Sequence, residues 1–485
     1  MKYFKYIILL VIGFAFHACD TDEFLNPLPD SSIVLDAFYQ TDDDVLAGII
    51  GIYDAIQGVN ENTETNIGRA NRGIQFEYML AEHRSDNTRT ATLEGSKADF
   101  HRYLVEPNNV QTEDYYQSMY EIIFRANSVL NFIDVADEDN QAKYMGEAKF
   151  LRAYAYFNLI RFFGAVPLVT SVVGPEDNES LFTRVAVDQI YQQIVLDLQE
   201  AVNTLDNTHK SRASKAAAQG LLAKVYLTQS NRNYAGAQQL CEAIINSGEF
   251  ALQDNFSDVF YNELNDEIIF AIQYESGNTL ESQSFSSEFT ATFRQGREDG
   301  HNMVNNNLIA DFTVYGGNRT AQSYISFNTW TEVIKFLPEG SDITSTPPTY
   351  GPSPRDAGND WIILRYADVL LMHAEAILAG GSETTNSAAI DSYMAVRTRA
   401  GFDPVTDRPS ALTQNALLVE RRVELAFENQ RFHDLVRFGV ADAVLSAHAA
   451  EMGYGSYDAR KLLLPIPARE INLSGGLLTQ NPGYN

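Results

Sequence analysis

Apolar positions recur every three or four residues over much of this chain, which is the spacing of one face of an α-helix. Thr41-Asp42-Asp43-Asp44 offers N-caps to a helix running through about Gln57. From Glu113 the period strengthens, with Tyr116, Tyr120, Ile123, Asn127, Leu130 and Ile133 on one side. Ala142 to Phe163 repeats it through Phe150, Tyr154, Phe157 and Ile160 or Arg161, and Gly164 and then Pro167 stop it. Further helices are expected over about Val187–Leu205, Ser214–Gln229 and Tyr234–Ser247.

Two helix pairs are alike. Ala213–Gln229 precedes a helix carrying Ala237, Cys241 and Ile244, and Ile363–Leu378 precedes one carrying Ala389, Tyr393 and Val396. In both, a small residue is followed by larger ones at the spacing of tetratricopeptide-like pairs, which bury their apolar faces on neighbours. That assigns Cys241 to packing. The expected fold is all-α, with the helical scaffold mainly over 113–250 and 360–445.

The stretch from Leu252 to Gly358 differs, being rich in Ser, Thr, Asn, Gly and Pro. Glu267–Ile272 reads as a short strand, and Ser341–Pro354, with its prolines, reads as loop. A long irregular segment between helical halves usually serves function. Residues 252–358 are therefore expected to face a ligand. Loops are also expected over Glu61–Arg72 and Arg84–Ser96.

The N-terminus speaks to compartment. Lys2 and Lys5 precede an apolar run, Tyr6–Phe16, which is too short to span a bilayer and has the layout of a signal peptide over 1–18. Ala18 before Cys19 resembles a lipoprotein cleavage site, although Phe16 and His17 are bulkier than usual there. Residues 19–40 then form an anchor and tether, with the acidic run Asp20-Thr21-Asp22-Glu23 directly after the lipidated cysteine. Acyl chains would bind a membrane. With Cys19 so used, Cys241 has no partner for a disulfide.

Charge narrows the ligand. The 485 residues carry 35 basic and 64 acidic side chains, a net charge of −29. Nucleic acid is a poor partner for such a surface, and a neutral ligand is expected. Catalytic signatures are missing: no HExxH, GxSxG, GxxxxGK or GxGxxG constellation occurs. The eight histidines are scattered singly, and His83, His101 and His373 read as structural or solvated. Asp137-Glu138-Asp139-Asn140 reads as a helix cap, with structural calcium the competing reading because the full calcium-loop pattern is lacking. Glu420–Glu428, continued by Arg431, Asp434 and Arg437, interleaves charges with Leu417, Leu418, Leu425 and Phe427, which suits a buried ion-pair network.

Longer motifs then resemble a family. They are Glu147-Ala148-Lys149-Phe150-Leu151-Arg152-Ala153 with Tyr156-Phe157, Phe163-Gly164 and Val166-Pro167-Leu168; Arg365-Tyr366-Ala367-Asp368-Val369-Leu370-Leu371 with His373-Ala374-Glu375-Ala376; Val396-Arg397-Thr398-Arg399-Ala400-Gly401; Asp434-Leu435-Val436-Arg437-Phe438-Gly439; and Leu464-Pro465-Ile466-Pro467 with Asn481-Pro482-Gly483-Tyr484. In this order they resemble the SusD/RagB-like outer-membrane nutrient-binding lipoproteins. The resemblance implies a single domain over 41–485, built as a tetratricopeptide-like superhelix with a loop-rich binding region. It also implies a SusC-like TonB-dependent transporter as partner, an outward-facing position at the outer membrane, a glycan ligand and no catalysis. An oligopeptide ligand and an all-α glycoside hydrolase are the competing readings.

No motif carries site residues across. By position, loops 61–105 and 274–356 are expected to wall the site. Trp330, Tyr324 and Phe100 are candidate aromatic platforms for a sugar ring, and Asp86, Asn87, Arg89 and Arg72 are candidate polar contacts. Trp361 is expected to be scaffold. A β-glucan or fructan fits the net charge.

Overall fold

The computed structural model describes residues 35–60, 71–174, 178–290, 300–327, 330–345, 349–455 and 457–484. Cys19, the signal segment and most of the tether lie outside the described residues.

The longer helices are α1 (Asp42–Gln57), α2 (Val110–Asn131), α3 (Glu138–Phe163), α4 (Val187–Thr204), α5 (Lys215–Thr228), α6 (Tyr234–Ser247), α7 (Asn306–Tyr315), α8 (Tyr366–Leu378), α9 (Ser387–Arg399), α10 (Gln414–Glu424), α11 (Arg431–Arg437) and α12 (Ala441–Met452). The strands that matter below are β1 (Thr88–Arg89), β2 (Ile268–Ile272), β3 (Met303–Val304), β4 (Tyr324–Phe327), β5 (Trp330–Val333) and β6 (Trp361–Arg365). The fold is all-α with a few two-stranded ribbons.

Local chemistry explains the helix boundaries. The Thr41 hydroxyl accepts from the Asp44 amide while the Asp44 carboxylate accepts from the Thr41 amide at 2.8 Å, a capping box that starts α1. The Asn109 side chain caps α2 through the amides of Gln111 and Thr112. The acidic run at 137–140 opens α3, where Asn140 donates to the Asp42 carboxylate. Among the described residues no group of three or more His, Cys, Asp or Glu could hold a metal ion. Gly164, at φ 71, ends α3 in a conformation that disfavours side chains with a Cβ.

α3 is the central helix. It packs on α2 and α4 and buries residues around most of its circumference. The pairs α5/α6 and α8/α9 stack with α6 against α8. Ala237, Cys241 and Ile244 are fully buried on α6, and Ala389 and Val396 on α9. Burial raises the Cys241 thiol pKa, so the group stays protonated and inert. β2 and β6 form an antiparallel ribbon across this stack, with Trp361 opposite Ile272. Trp361 is buried and stacks on Phe336 at 5.3 Å. Among the described residues no helix is long and apolar enough to cross a membrane.

The segment 252–358 is less irregular than its composition suggested. It contains α7 and the β4–β5 hairpin, and Ser341–Asp342 pairs with Thr349–Tyr350 across the proline-rich stretch. Much of it is core: residues 282–290 are all buried.

A buried charge network fastens the halves together. Arg365 reaches Glu267 at 2.7 Å, Glu424 at 2.5 Å and Glu428 at 2.7 Å. Arg319 pairs with Glu420 and Glu424 at 2.7 and 2.6 Å. Lys335 pairs with Glu428 at 2.6 Å, and Arg421 bridges Asp368 and Asp434, both at 2.8 Å. Charges this deep persist only when paired and hydrogen-bonded.

The turn between α10 and α11 receives the segment 77–87. Phe427 and Asn429 adopt positive φ, 69° and 61°, which is costly for residues with a side chain. The Phe427 amide donates to the Glu82 carboxylate, and the Asn429 side chain donates to Glu77 at 3.4 Å. Burial lifts the Glu82 carboxyl to about 7.

Candidate ligand-binding site

Loops from two distant parts of the chain meet in front of this network. Thr88 pairs with Val304 and Arg89 with Met303. The Asn305 amide donates to the Asn87 carbonyl at 2.8 Å, and the Ala91 amide donates to the Gly300 carbonyl at 2.9 Å. The Thr331 hydroxyl accepts from the Val304 amide at 2.9 Å and donates to its carbonyl at 3.1 Å. Residues 88–91, 300–304 and 330–333 thus form one ledge, drawn from the two stretches expected to wall the site.

Strand alternation sorts its side chains. Thr88 and Thr90 are fully buried, whereas Arg89 and Ala91 are half-buried on the other side. Gly300 has φ +61, and a Cβ there would lie 2.9 Å from Trp330 Cζ3 and 3.2 Å from the Ala91 Cβ. The indole therefore rests on Gly300 beside Ala91. Trp330 itself is half-buried. An indole pinned by backbone and partly open to solvent can receive the apolar face of a sugar ring.

The other candidates fare differently. Tyr324 pairs with Val333 while Trp330 pairs with Phe327, so the two rings point to opposite faces of the hairpin. Tyr324 packs on Phe312 with centroids 5.3 Å apart. Arg72 lies over the Phe76 ring at 4.8 Å and 3.5 Å from Asp114. Three candidates are corrected to scaffold. Phe100 is fully buried, with no surface for a ligand. Asp86 is buried between Arg431 at 2.8 Å and Arg422 at 2.9 Å. Although burial opposes charging it, those guanidinium groups hold its carboxyl well below the usual range. Asn87 is buried and accepts from Arg422 Nε at 2.9 Å.

Sequence reasoning missed Ala91, Gly300 and Thr331, which aim the indole. Small residues bear no chemical signal, and only the left-handed Gly300 carries a conformational one. It also missed Tyr454, half-buried beside His101 with ring centroids 5.6 Å apart.

Beneath the ledge lies a layer of buried polar groups. His83 is fully buried, and burial, followed by the fields of His101 and His301, holds its ring neutral at neutral pH. His101 is pushed down to about 3, first by burial and then by Arg89 and Arg102. Glu288 accepts from Tyr78 at 2.7 Å and from Ser284 at 2.9 Å. Burial would raise its pKa, but Lys97 and His301 hold it below the ordinary value. Tyr78 also meets the His83 ring edge-on, with centroids 5.2 Å apart. Glu332, on the Trp330 face of β5, is buried and accepts from Tyr350 at 3.0 Å.

A separate cleft of about 570 Å³ is lined by Tyr261, Glu263, Tyr274, Glu275, Asn359 and Asp360, among others. Burial raises the Asp360 carboxyl to about 7 there, and the field of Glu263 adds to the rise.

Comparison with known proteins adds three findings. A family profile described as "SusD family" matches residues 343–484, and one described as "Starch-binding associating with outer membrane" matches residues 23–227. The chain is 25% identical to SusD-like protein P2 of Formosa agariphila, over 100% of both chains. It is also 25% identical to a SusD-like protein of Bacteroides ovatus, over 94% of this chain and 89% of that one. Among solved structures, a laminarin-binding SusD-like protein superposes with TM-score 0.74 at 26% identity, covering 92% of this chain and 100% of that one. A SusD homologue from Bacteroides thetaiotaomicron gives 0.75 at 22% identity, covering 93% and 98%.

Proposed function

Because this chain belongs to the SusD family, we propose that it captures glycan on the Trp330 ledge and delivers it to a SusC-like TonB-dependent transporter. The observation that carries the site is the half-open indole, held by Gly300 and Ala91 where the two loop regions meet. The laminarin-binding relative supports a saccharide as the ligand class.

The mechanism is capture without chemistry. Stacking on Trp330 orients a ring, and groups along 88–93 and Tyr454 can meet its hydroxyls. Glu288, held by Tyr78 and accepting from the His301 amide at its carbonyl, ties the ledge to the core, which lowers the ordering cost of binding. Cys19 carries the lipid, and the acidic tether places the domain on the outer face of the outer membrane. The outer-membrane description of the matching N-terminal profile supports that location.

The test is calorimetry of protein starting at Asp20 against neutral glycans, anionic glycans and peptides. Saturable heat with a glycan, lost in Trp330→Ala, is expected, with no new reducing ends formed. Heat from peptides alone would overturn the glycan reading. Binding that survives Trp330→Ala would move the site, with the Tyr261–Asp360 cleft next to be probed. For the anchor, Cys19→Ala is expected to release the protein from the membrane fraction.

A further inference from the structure

Resting on the reading of Trp330 as the platform, we propose that the bound glycan is anionic, and that Arg89 grips a carboxylate or sulfate group on it. Arg89 and Ala91 face the same side of an extended segment, about 6.6 Å apart along it, and Trp330 lies against Ala91. The guanidinium therefore stands beside the stacking surface, within reach of a substituent on a stacked ring.

Its own contacts are weak. Arg89 Nη1 approaches the Thr90 carbonyl at 3.3 Å and the Met303 sulfur at 3.8 Å, and among the described residues it enters no ion pair. Arg84, Arg184 and Arg232 are likewise bonded to carbonyls and not to carboxylates, so what sets Arg89 apart is its place beside the indole. Behind the ledge, Arg319, Arg365, Arg421, Arg422 and Arg431 are each held by carboxylates. The groups near Arg89 do not neutralise it. The Arg89 and Arg102 cations both act on His101 and on the Tyr454 hydroxyl, and that imidazole is uncharged. Two cations thus act on the same edge of the ledge, although the whole chain carries −29. Salt screens the distant acids beyond about 8–10 Å, so contact chemistry decides. A guanidinium fork matches carboxylate and sulfate oxygens in a way an ammonium does not. The expectation of a neutral ligand came from net charge, which averages over a surface that a ligand does not touch.

The experiment is calorimetry on the full chain in detergent, at about 0.15 M salt. One pair of probes is polygalacturonate and its carboxyl-reduced form. The other is a sulfated galactan and its desulfated form. The anionic member of one pair is expected to bind at least about 10-fold tighter than its neutral counterpart, and the responsive pair identifies the anion. Arg89→Gln is expected to remove about 10-fold of that affinity and Arg89→Lys to restore part of it. Melting curves establish that each variant is folded. Equal binding of charged and neutral members, or no change in Arg89→Gln while Trp330→Ala abolishes binding, overturns the anionic ligand and leaves the platform standing. Anionic binding that survives Trp330→Ala overturns both.

Discussion

The α10–α11 network and the Trp330 ledge are both made of residues far apart in sequence, yet they treat charge in opposite ways. In the network each guanidinium is matched: Arg365 alone meets Glu267, Glu424 and Glu428. On the ledge Arg89 meets a carbonyl and a sulfur. A saturated charge has no affinity left for a partner, so its removal damages the fold. A charge left to solvent costs the fold little and remains available to a ligand. Between these two regions, ion pairing therefore separates scaffold from site more sharply than residue type does.

The hardest test of that separation is Glu424→Gln. Glu424 serves Arg319, Arg365 and Arg399 together. Weakening a buried partner of three cations is expected to cost about 3–5 kcal/mol, read as a large fall in the thermal or denaturant midpoint. A loss below about 1 kcal/mol would mean that the network behaves like surface ion pairs, and the contrast with the ledge would collapse.

Asp86→Asn probes the boundary, since Asp86 lies on the loop that leads into the ledge but belongs to the network. About 3 kcal/mol of stability should be lost, while glycan affinity per folded molecule stays within about twofold, a difference of about 0.4 kcal/mol. The pH dependence has a definite sign. The folded carboxyls of Asp86 and Asp368 lie below their unfolded values. Their contribution is fully present above the unfolded pKa of about 3.9 and is lost as pH falls through the folded value. The acid limb of the stability curve should therefore be shallower in Asp86→Asn. An unchanged limb, or a large loss of affinity, would return Asp86 to the site.

The same contrast explains what the sequence could show. The scaffold was legible because its signals are local: the Thr41 capping box, the period through Tyr116 to Ile133, and the alternating charges after Glu420. Asp86 and Asn87 were misread as ligand contacts because polar residues between helices look exposed. Their partners are Arg422 and Arg431, more than 300 residues downstream, and no local pattern announces such a contact. The two candidate rings were separated only by register: Tyr324 and Trp330 share a hairpin, but pairing with Val333 and Phe327 puts them on opposite faces. The ledge was legible as a meeting of two stretches but not as a surface, since Gly300 and Ala91 shape it without reactive groups.

On the ledge side, Trp330→Ala is expected to lower glycan affinity by up to about 10-fold, because an aromatic contact contributes roughly 0.5–1.5 kcal/mol beyond its area. The half-buried indole is not part of the network, so the midpoint should move far less than in Glu424→Gln. A fall as large as that of Glu424→Gln would make Trp330 a packing residue.

The smallest effect should come from Gly300→Ala, which touches neither the network nor any hydrogen-bonding side chain. At φ +61 an alanine costs about 1 kcal/mol, and its Cβ would press on Trp330 Cζ3 from 2.9 Å. The indole is the softer partner, because the backbone here is fixed by the Ala91 to Gly300 bond. A tilted indole keeps its area but loses its alignment. Affinity should therefore fall a few-fold, while the midpoint drops only by the backbone strain. If affinity is unchanged although the strain appears in the melt, the indole moves without consequence. Stacking geometry would then not be what the ledge supplies, and the contrast between a rigid scaffold and a tuned platform would reduce to one of charge alone.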